Sequence, residues 1–374
     1  MSSKWILVLI LLVASPMVVE ASTITVGPGS CDYTHIWEAL DAANPGDTIE
    51  VQSGTYYENV IVDKQITLRG VDTGAGSPVV DAKRLRSAIT LVADGVRLEG
   101  FYATGSQSCE KIEAAGIKVL SNNNIIANNT ASNNCCDGIA LYRSKNNVLM
   151  CNNANNNNDG IYLDSSSNNT VTHNVANANG EDGIYLLASS ENIISDNSVS
   201  GNLDGIGLTE SDDNIIRDNY AGRNLDGIGI WGSDNNNIVG NNASNNDYVG
   251  IGLGHSFKNT IMVNNASNNE YGLLLVHSND NLLYRNSLID NIGCNAHDNG
   301  ANRWDDGAIG NLYGDFDEPR EGCRDGDHDG ICNFAYEILG GSNVDEHPVA
   351  SVRGPIPDPV SLFLYIIYNI VYAE

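Results

Sequence analysis

Positive charge is what this sequence lacks most. It has 19 Lys and Arg against 47 Asp and Glu, a formal net charge of -28 over 374 residues. A field of that sign repels nucleic acid and anionic lipid and draws cations, so the expected partners are metal ions, neutral glycans or basic surfaces. Bare polyuronate fits only where a cation bridges it. Long apolar runs are missing too. The first run, residues 5–14, has the length of an export signal's core, with Lys4 before it and Val19-Glu20-Ala21 as a cleavage site. The last, residues 360–372, is shorter than the roughly 17 residues needed to cross a bilayer. It reads equally as a docked end strand or a weak anchor. Export permits disulfides among the eight cysteines. Cys323 and Cys332, nine apart in a loop-like segment, are the leading pair, and Cys136–Cys151 is the second.

What is present is a repeat. Asn-Leu-Asp-Gly-Ile-Gly stands at 202–207 and again at 224–229. Its glycine recurs at Gly116, Gly138, Gly160, Gly183, Gly205, Gly227, Gly250 and Gly272, in steps of 22 or 23. A serine recurs six places later, from Ser144 to Ser278. Three asparagine columns run beside it, Asn124 to Asn281, Asn129 to Asn286 and Asn134 to Asn291. Such a period means a solenoid. The unit is too short for two helices, and its alternating apolar residues, led by Ile, make short strands with one face inside. Three asparagine columns mark three corners, because Asn tolerates left-handed backbone. Stacked amides can also bond along the axis. A leucine-rich repeat shares the period but expects Leu-dominated columns and one Asn ladder. The sequence therefore predicts an all-β, right-handed, single-stranded parallel β-helix with three sides, of ten to twelve coils and roughly 50 Å long.

The expected segments are a signal peptide at 1–21, an N-terminal cap with irregular coils at 22–115 and regular coils at 116–293. A C-terminal cap follows at 294–350, then a linker and apolar tail at 351–374. A helix at 33–43, stopped by Asn44-Pro45-Gly46, closes the open N-terminal end.

The opening GSCDYTHIWEALDAANPGDTIEVQSGTYYENVIVDKQITLRG resembles the N-terminal cap of pectin-methylesterase-like β-helix proteins. The repeats, and the closing RDGDHDGICNFAYEILGGSNVDEHPV, are similar to NosD-type β-helix domains, which also occur in arrays on archaeal surface proteins. The resemblance covers residues 24–350 and implies the fold. That fold carries lyases, hydrolases, epimerases, esterases and plain binders alike. The catalytic motifs of its polygalacturonases, pectin esterases and mannuronan epimerases are absent here, and no catalytic residue is assigned. The NosD name implies copper, but seven His and four Met without a cluster give copper no site.

Four sets of residues carry candidate chemistry. Asp325, Asp327 and Asp329 alternate before Gly330, with Asn333 near, as in a loop that wraps calcium. Tyr336 stands where an EF-hand would close with Glu, so the expectation is a calcium loop of another kind. A solvated acidic turn held by the cysteines accounts for the same residues. Asp137, Asp159, Asp182, Asp204 and Asp226 form a column with roughly 5 Å between coils. The column reads as a cation stripe or as Asp-Gly turns. On the outer face, glycines at 207, 229 and 252 lie among Tyr142, Tyr162, Asp164, Tyr185, Glu210 and Trp231. Small residues between aromatic rings and carboxylates can seat a sugar chain, or merely fill an exposed strand. His255 and His277 stack in adjacent coils without a third ligand.

The sequence thus points to an exported surface or periplasmic binding or scaffold protein for a glycan or cell-envelope polymer, with calcium as its ion. Two alternatives stay open: a calcium-assisted polysaccharide lyase or other carbohydrate-active enzyme, and an accessory factor that delivers metal to a partner enzyme. Four Asn-x-Ser/Thr sequons, Asn128, Asn168, Asn242 and Asn265, are available for glycans.

Overall fold

The computed structural model describes residues 21–107 and 114–351; the expected signal peptide and apolar tail lie outside them. Among the described residues every strand pairing but one is parallel. One face is a sheet of twelve strands and a second a sheet of eleven. The third is built of two- and three-residue strands in sheets of four and three. The chain is a three-sided parallel β-helix of about twelve coils, as the period predicts. Partners along the axis are the repeat positions themselves: Ile184, Ile206, Ile228 and Ile251 pair in turn on the second face. All four are fully buried in one core running the length of the rod.

The asparagine columns form bonded ladders. The side-chain amide of Asn152 donates to Oδ1 of Asn174 at 3.0 Å, Asn174 to Asn197 at 3.1 Å and Asn197 to Asn219 at 3.0 Å. The same Oδ1 atoms accept the backbone N–H of the coil before, as Asn219 does from Asn197 at 2.9 Å. The serines form a fourth ladder, in which each Oγ accepts the preceding serine's N–H. The left-handed corner residue, however, is the one before each ladder asparagine: Asn128, Cys151, His173, Asp196 and Asp218 all have φ between 54° and 57°. The ladder amide has to face inward to bond, so its neighbour takes the strained backbone. The ladders also outlast the visible repeat, passing from Asn281 to Asn302 and from Asn286 to Asn311.

The capping helix α1 spans Ile36–Ala42, shorter than 33–43 because Tyr33 bridges to Val26. The next coil satisfies both its ends. Glu58 accepts the N–H groups of Ile36 and Trp37, each at 3.1 Å, and Lys64 donates to the carbonyls of Leu40, Asp41 and Ala43. At the other end Trp304 and Tyr313 are fully buried plugs. Trp304 donates to Asp298 at 2.9 Å, and Tyr313 donates to Asp345 at 3.1 Å. Cys323 and Cys332 are joined. Cys136–Cys151 is not: Cys151 is a free, exposed thiol at a corner, whereas Cys136 is buried and disulfide-bonded elsewhere.

Candidate functional site

The outer side of the second face holds the acidic column and the aromatic residues together. Register sets their order. Tyr162, Tyr185, Gly207, Gly229 and Gly252 form one column, and Tyr142, Asp164, Leu187, Thr209 and Trp231 the next. The ring of Tyr142 meets Tyr162 edge-on at 5.8 Å, and Tyr162 stacks on Tyr185 at 5.6 Å. The Lys118 ammonium lies 4.6 Å from the centre of the Tyr142 ring.

The glycines are not an empty trough. A methyl group added at Gly207 would lie 2.8 Å from Oδ2 of Asp182, and one at Gly229 would lie 3.0 Å from Oδ2 of Asp204. Each aspartate therefore leans one coil forward and lays its carboxyl on the bare backbone of the next strand. Gly254 does the same for Trp231, whose ring occupies the place of the missing side chain and stays 55% exposed. The floor is thus carboxyls, with a tyrosine stack at one end and a tryptophan plate at the other.

Burial sets the charge of that floor. Asp137 and Asp159 are buried, and Asp182, Asp204 and Asp226 half-buried. Burial first, then the charge of Asp159, raises Asp137 to about 8. Burial, then Asp204 and Asp159, raises Asp182 to about 8. Asp159 and Asp204 rise to about 6, again chiefly by burial. The column is thus half-buried to buried along its length. Burial raises every member of the column, Asp226 included, so each loses its proton less readily than a free carboxyl. Oδ1 of Asp159 accepts the N–H of Asp182 at 2.8 Å, and Oδ1 of Asp182 that of Asp204 at 3.3 Å. Oδ2 is the atom laid on the glycines.

Of the remaining candidates, Asp164 alone shares that face. Asp164 accepts the Ser165 hydroxyl at 2.7 Å beside Tyr162, while Glu210 sits exposed at a corner with φ 50°. His255 and His277 have ring centres 5.2 Å apart, and the third ring of that row is Trp231, which brings no donor atom for a metal. In the C-terminal cap, ligand atoms of Asp325, Asp327 and Asp329 lie within 4.8 Å of one another. Asn333 accepts the Gly326 N–H at 2.7 Å and lies 3.4 Å from Asp327. Asp325 accepts the N–H groups of Asp329 and Gly330, each at 3.1 Å.

Stacked coils, amide ladders and plugged ends define a parallel β-helix repeat protein. The family described as periplasmic copper-binding protein (NosD) matches residues 42–207 and 152–318, and the chain belongs to that family. A cell surface glycoprotein of Methanothermus fervidus is 33% identical over 96 residues, 25% of this chain; the chain spans 16% of that relative's length. Among solved structures, the Dettilon tailspike protein (gp208) has a TM-score of 0.53 at 16% identity, covering 68% of this chain and 62% of its own. ORF18 of Geobacillus virus E2 has 0.54 at 13%, covering 82% and 64%. The GH136 lacto-N-biosidase from Eubacterium ramulus has 0.50 at 10%, covering 71% and 63%. These structural likenesses concern the fold alone. Copper, named in the family's description, does not fit the described residues. It draws on His, Cys and Met, whereas the one converging group of three or more His, Cys, Asp or Glu among the described residues is the all-carboxylate set at 325, 327 and 329.

Proposed function

We propose that the chain is an exported binding or scaffold protein. It seats a neutral glycan along the outer second face and holds calcium in its C-terminal cap. The observation that carries the glycan reading is the pairing of ring plates with carboxyls on one continuous surface: Tyr142, Tyr162 and Tyr185 at one end, Trp231 laid on Gly254 at the other, Asp182 and Asp204 between. Sugars stack their apolar faces on rings and give their hydroxyls to carboxyl oxygens. The net charge of -28 disfavours a bare polyuronate. Membership of a family described as periplasmic, and a relative described as a cell surface glycoprotein, support export. Three converging carboxylates suit a hard cation that takes oxygen ligands. Asn333 turns its amide nitrogen toward Asp327 and its oxygen to the Gly326 N–H, and joins them only by turning its amide over.

The test is a panel of neutral and acidic polysaccharides incubated with the full chain, in calcium and in chelator, with bound and product fractions read by mass analysis. Retention of a neutral polymer, lost in Tyr162→Ala and Trp231→Ala, is the expected result. Retention of nothing, or of acidic polymers alone, overturns the reading. A second reading as a carbohydrate-active enzyme rests on the neighbouring carboxyls raised to about 6 and about 8. Shortened or unsaturated chains would establish it.

A further inference from the structure

The repeat generates four sequons, and the coil geometry divides them into two kinds. Asn128 and Asn168 are exposed corner residues with φ of 54° and 58°. Each stands immediately before a ladder asparagine, so its own side chain is free of the ladder. Asn168 makes one exposed hydrogen bond, from Nδ2 to Glu191 at 2.8 Å. The sequon hydroxyls, on Thr130 and Thr170, are half-exposed at strand starts.

Asn242 and Asn265 occupy a different place. They lie within the short third face, bridged in series from Tyr220 through Asn242 and Asn265 to Ser287. Oδ1 of Asn242 is buried. The hydroxyls of these sequons, on Ser244 and Ser267, are buried and spent: Ser244 donates to the Asn265 carbonyl, and Ser267 to Oδ1 of Asn265 at 2.6 Å. Both asparagines are half-exposed, in the outward column that also holds Tyr220. What sets them apart is the engaged amide and the buried sequon hydroxyl.

We infer that Asn128 and Asn168 are acceptors for N-linked glycans and that Asn242 and Asn265 are not. In the transfer, Nδ2 of the asparagine bonds to the anomeric carbon of a lipid-pyrophosphate-linked oligosaccharide. The bond from that carbon to the pyrophosphate oxygen breaks, the lipid pyrophosphate leaves with the electron pair, and Nδ2 gives up one proton to a base. A transferase acting on the folded chain reaches the corners and not the sheet. One acting before folding can modify all four, but a sugar on Asn242 or Asn265 then has to displace an amide whose oxygen is buried in the third face or bonded to Ser267. Asn128 stands on the corner between the first and third faces, and Asn168 on the corner between the second and the first.

The experiment places the full chain behind a yeast secretion leader, so that its own export and its glycan-binding reading do not bear on the result. The secreted protein is treated with a glycan-releasing amidase in heavy-oxygen water, and the peptides are mapped by mass. Heavy aspartate at 128 and 168, with unmodified asparagine at 242 and 265, is expected. Label at 242 or 265 in folded protein overturns the assignment, as does label at neither 128 nor 168. Thr130→Val and Thr170→Val should each remove one glycan step on a gel without loss of secretion. Val175 and Val148 already fill the equivalent positions of other coils, so a fall in secretion without a lost step also counts against the assignment.

Discussion

At the scale of single residues, the aspartate column has a consequence for pH. Asp182 rises from an ordinary value of 3.8 to about 8 in the fold, by burial and the charges of Asp204 and Asp159. A carboxyl raised in this way binds its proton longer in the folded state than in the unfolded one. Its neutral form is therefore fully accommodated below pH 4, and stability falls as the pH rises from about 4 to about 8. Asp182→Asn keeps an oxygen for the Asp204 N–H and removes the charge. The variant should melt higher than the parent at pH 8 and level with it at pH 4.5, and scanning calorimetry at the two values decides it. An equal shift at both would mean that the carboxyl stays ionised. The ladder asparagines are the other decisive residues. Asn197→Ala removes the acceptor of the Asn174 N–H and the donor to Val171 and Asn219. Buried groups left without partners cost about 1–3 kcal/mol each, so denaturant titration should show a loss of at least 2 kcal/mol. A loss under 0.5 kcal/mol would make the ladders a by-product of the repeat.

At the scale of elements, the C-terminal cap is the least regular part, and a disulfide ties its Asp-rich loop. Closing the loop from Cys323 to Cys332, nine residues apart, is worth about 3 kcal/mol in the chain-entropy account. Solenoid ends are coupled only to their neighbours. Replacing Cys323 and Cys332 by Ser, or removing calcium, should therefore lower an early thermal step and leave the main transition of the coils in place. Asp327→Asn should abolish the calcium effect and leave the effect of the lost disulfide. A melting curve unchanged between calcium and chelator would refute the calcium loop. The elements also show what could be read from sequence. Asn129, Asn152 and Asn174 disclose the coil because each ladder position needs the same chemistry as its neighbour. That Asp182 rests on Gly207 was not legible, since the lean of a side chain onto the next coil is a property of two strands, each of which reads separately as a turn and a spacer. Asn302 and Asn311 escaped because the loops between them change length while the axis does not. Cys136–Cys151 misled for a related reason: 15 residues along this chain lead to another side of the coil.

At the scale of the whole molecule, the rod is a sum of interchangeable coils, and this sets what the chain tolerates. Deleting residues 205–226 joins Asp204 to Gly227 and regenerates Asn-Leu-Asp-Gly-Ile-Gly at the junction. It takes one member from each asparagine ladder, Asn214, Asn219 and Asn224, and one serine, Ser211. Tyr185 then pairs with Gly229 in place of Gly207, and Ile184 with Ile228 in place of Ile206, like for like in both columns. The shortened chain should fold with an unchanged far-ultraviolet spectrum and a rod about 4.8 Å shorter by small-angle scattering. Deleting half as much, residues 205–215, places Asn219 where a strand belongs and breaks all four ladders in that coil. Because the strands of each face pair only with the coils before and after, the break would split the core in two. That variant should aggregate or melt in two separated steps. If both deletions behave alike, the stability of the rod lies in general apolar burial and the ladder register is not what holds the coils together.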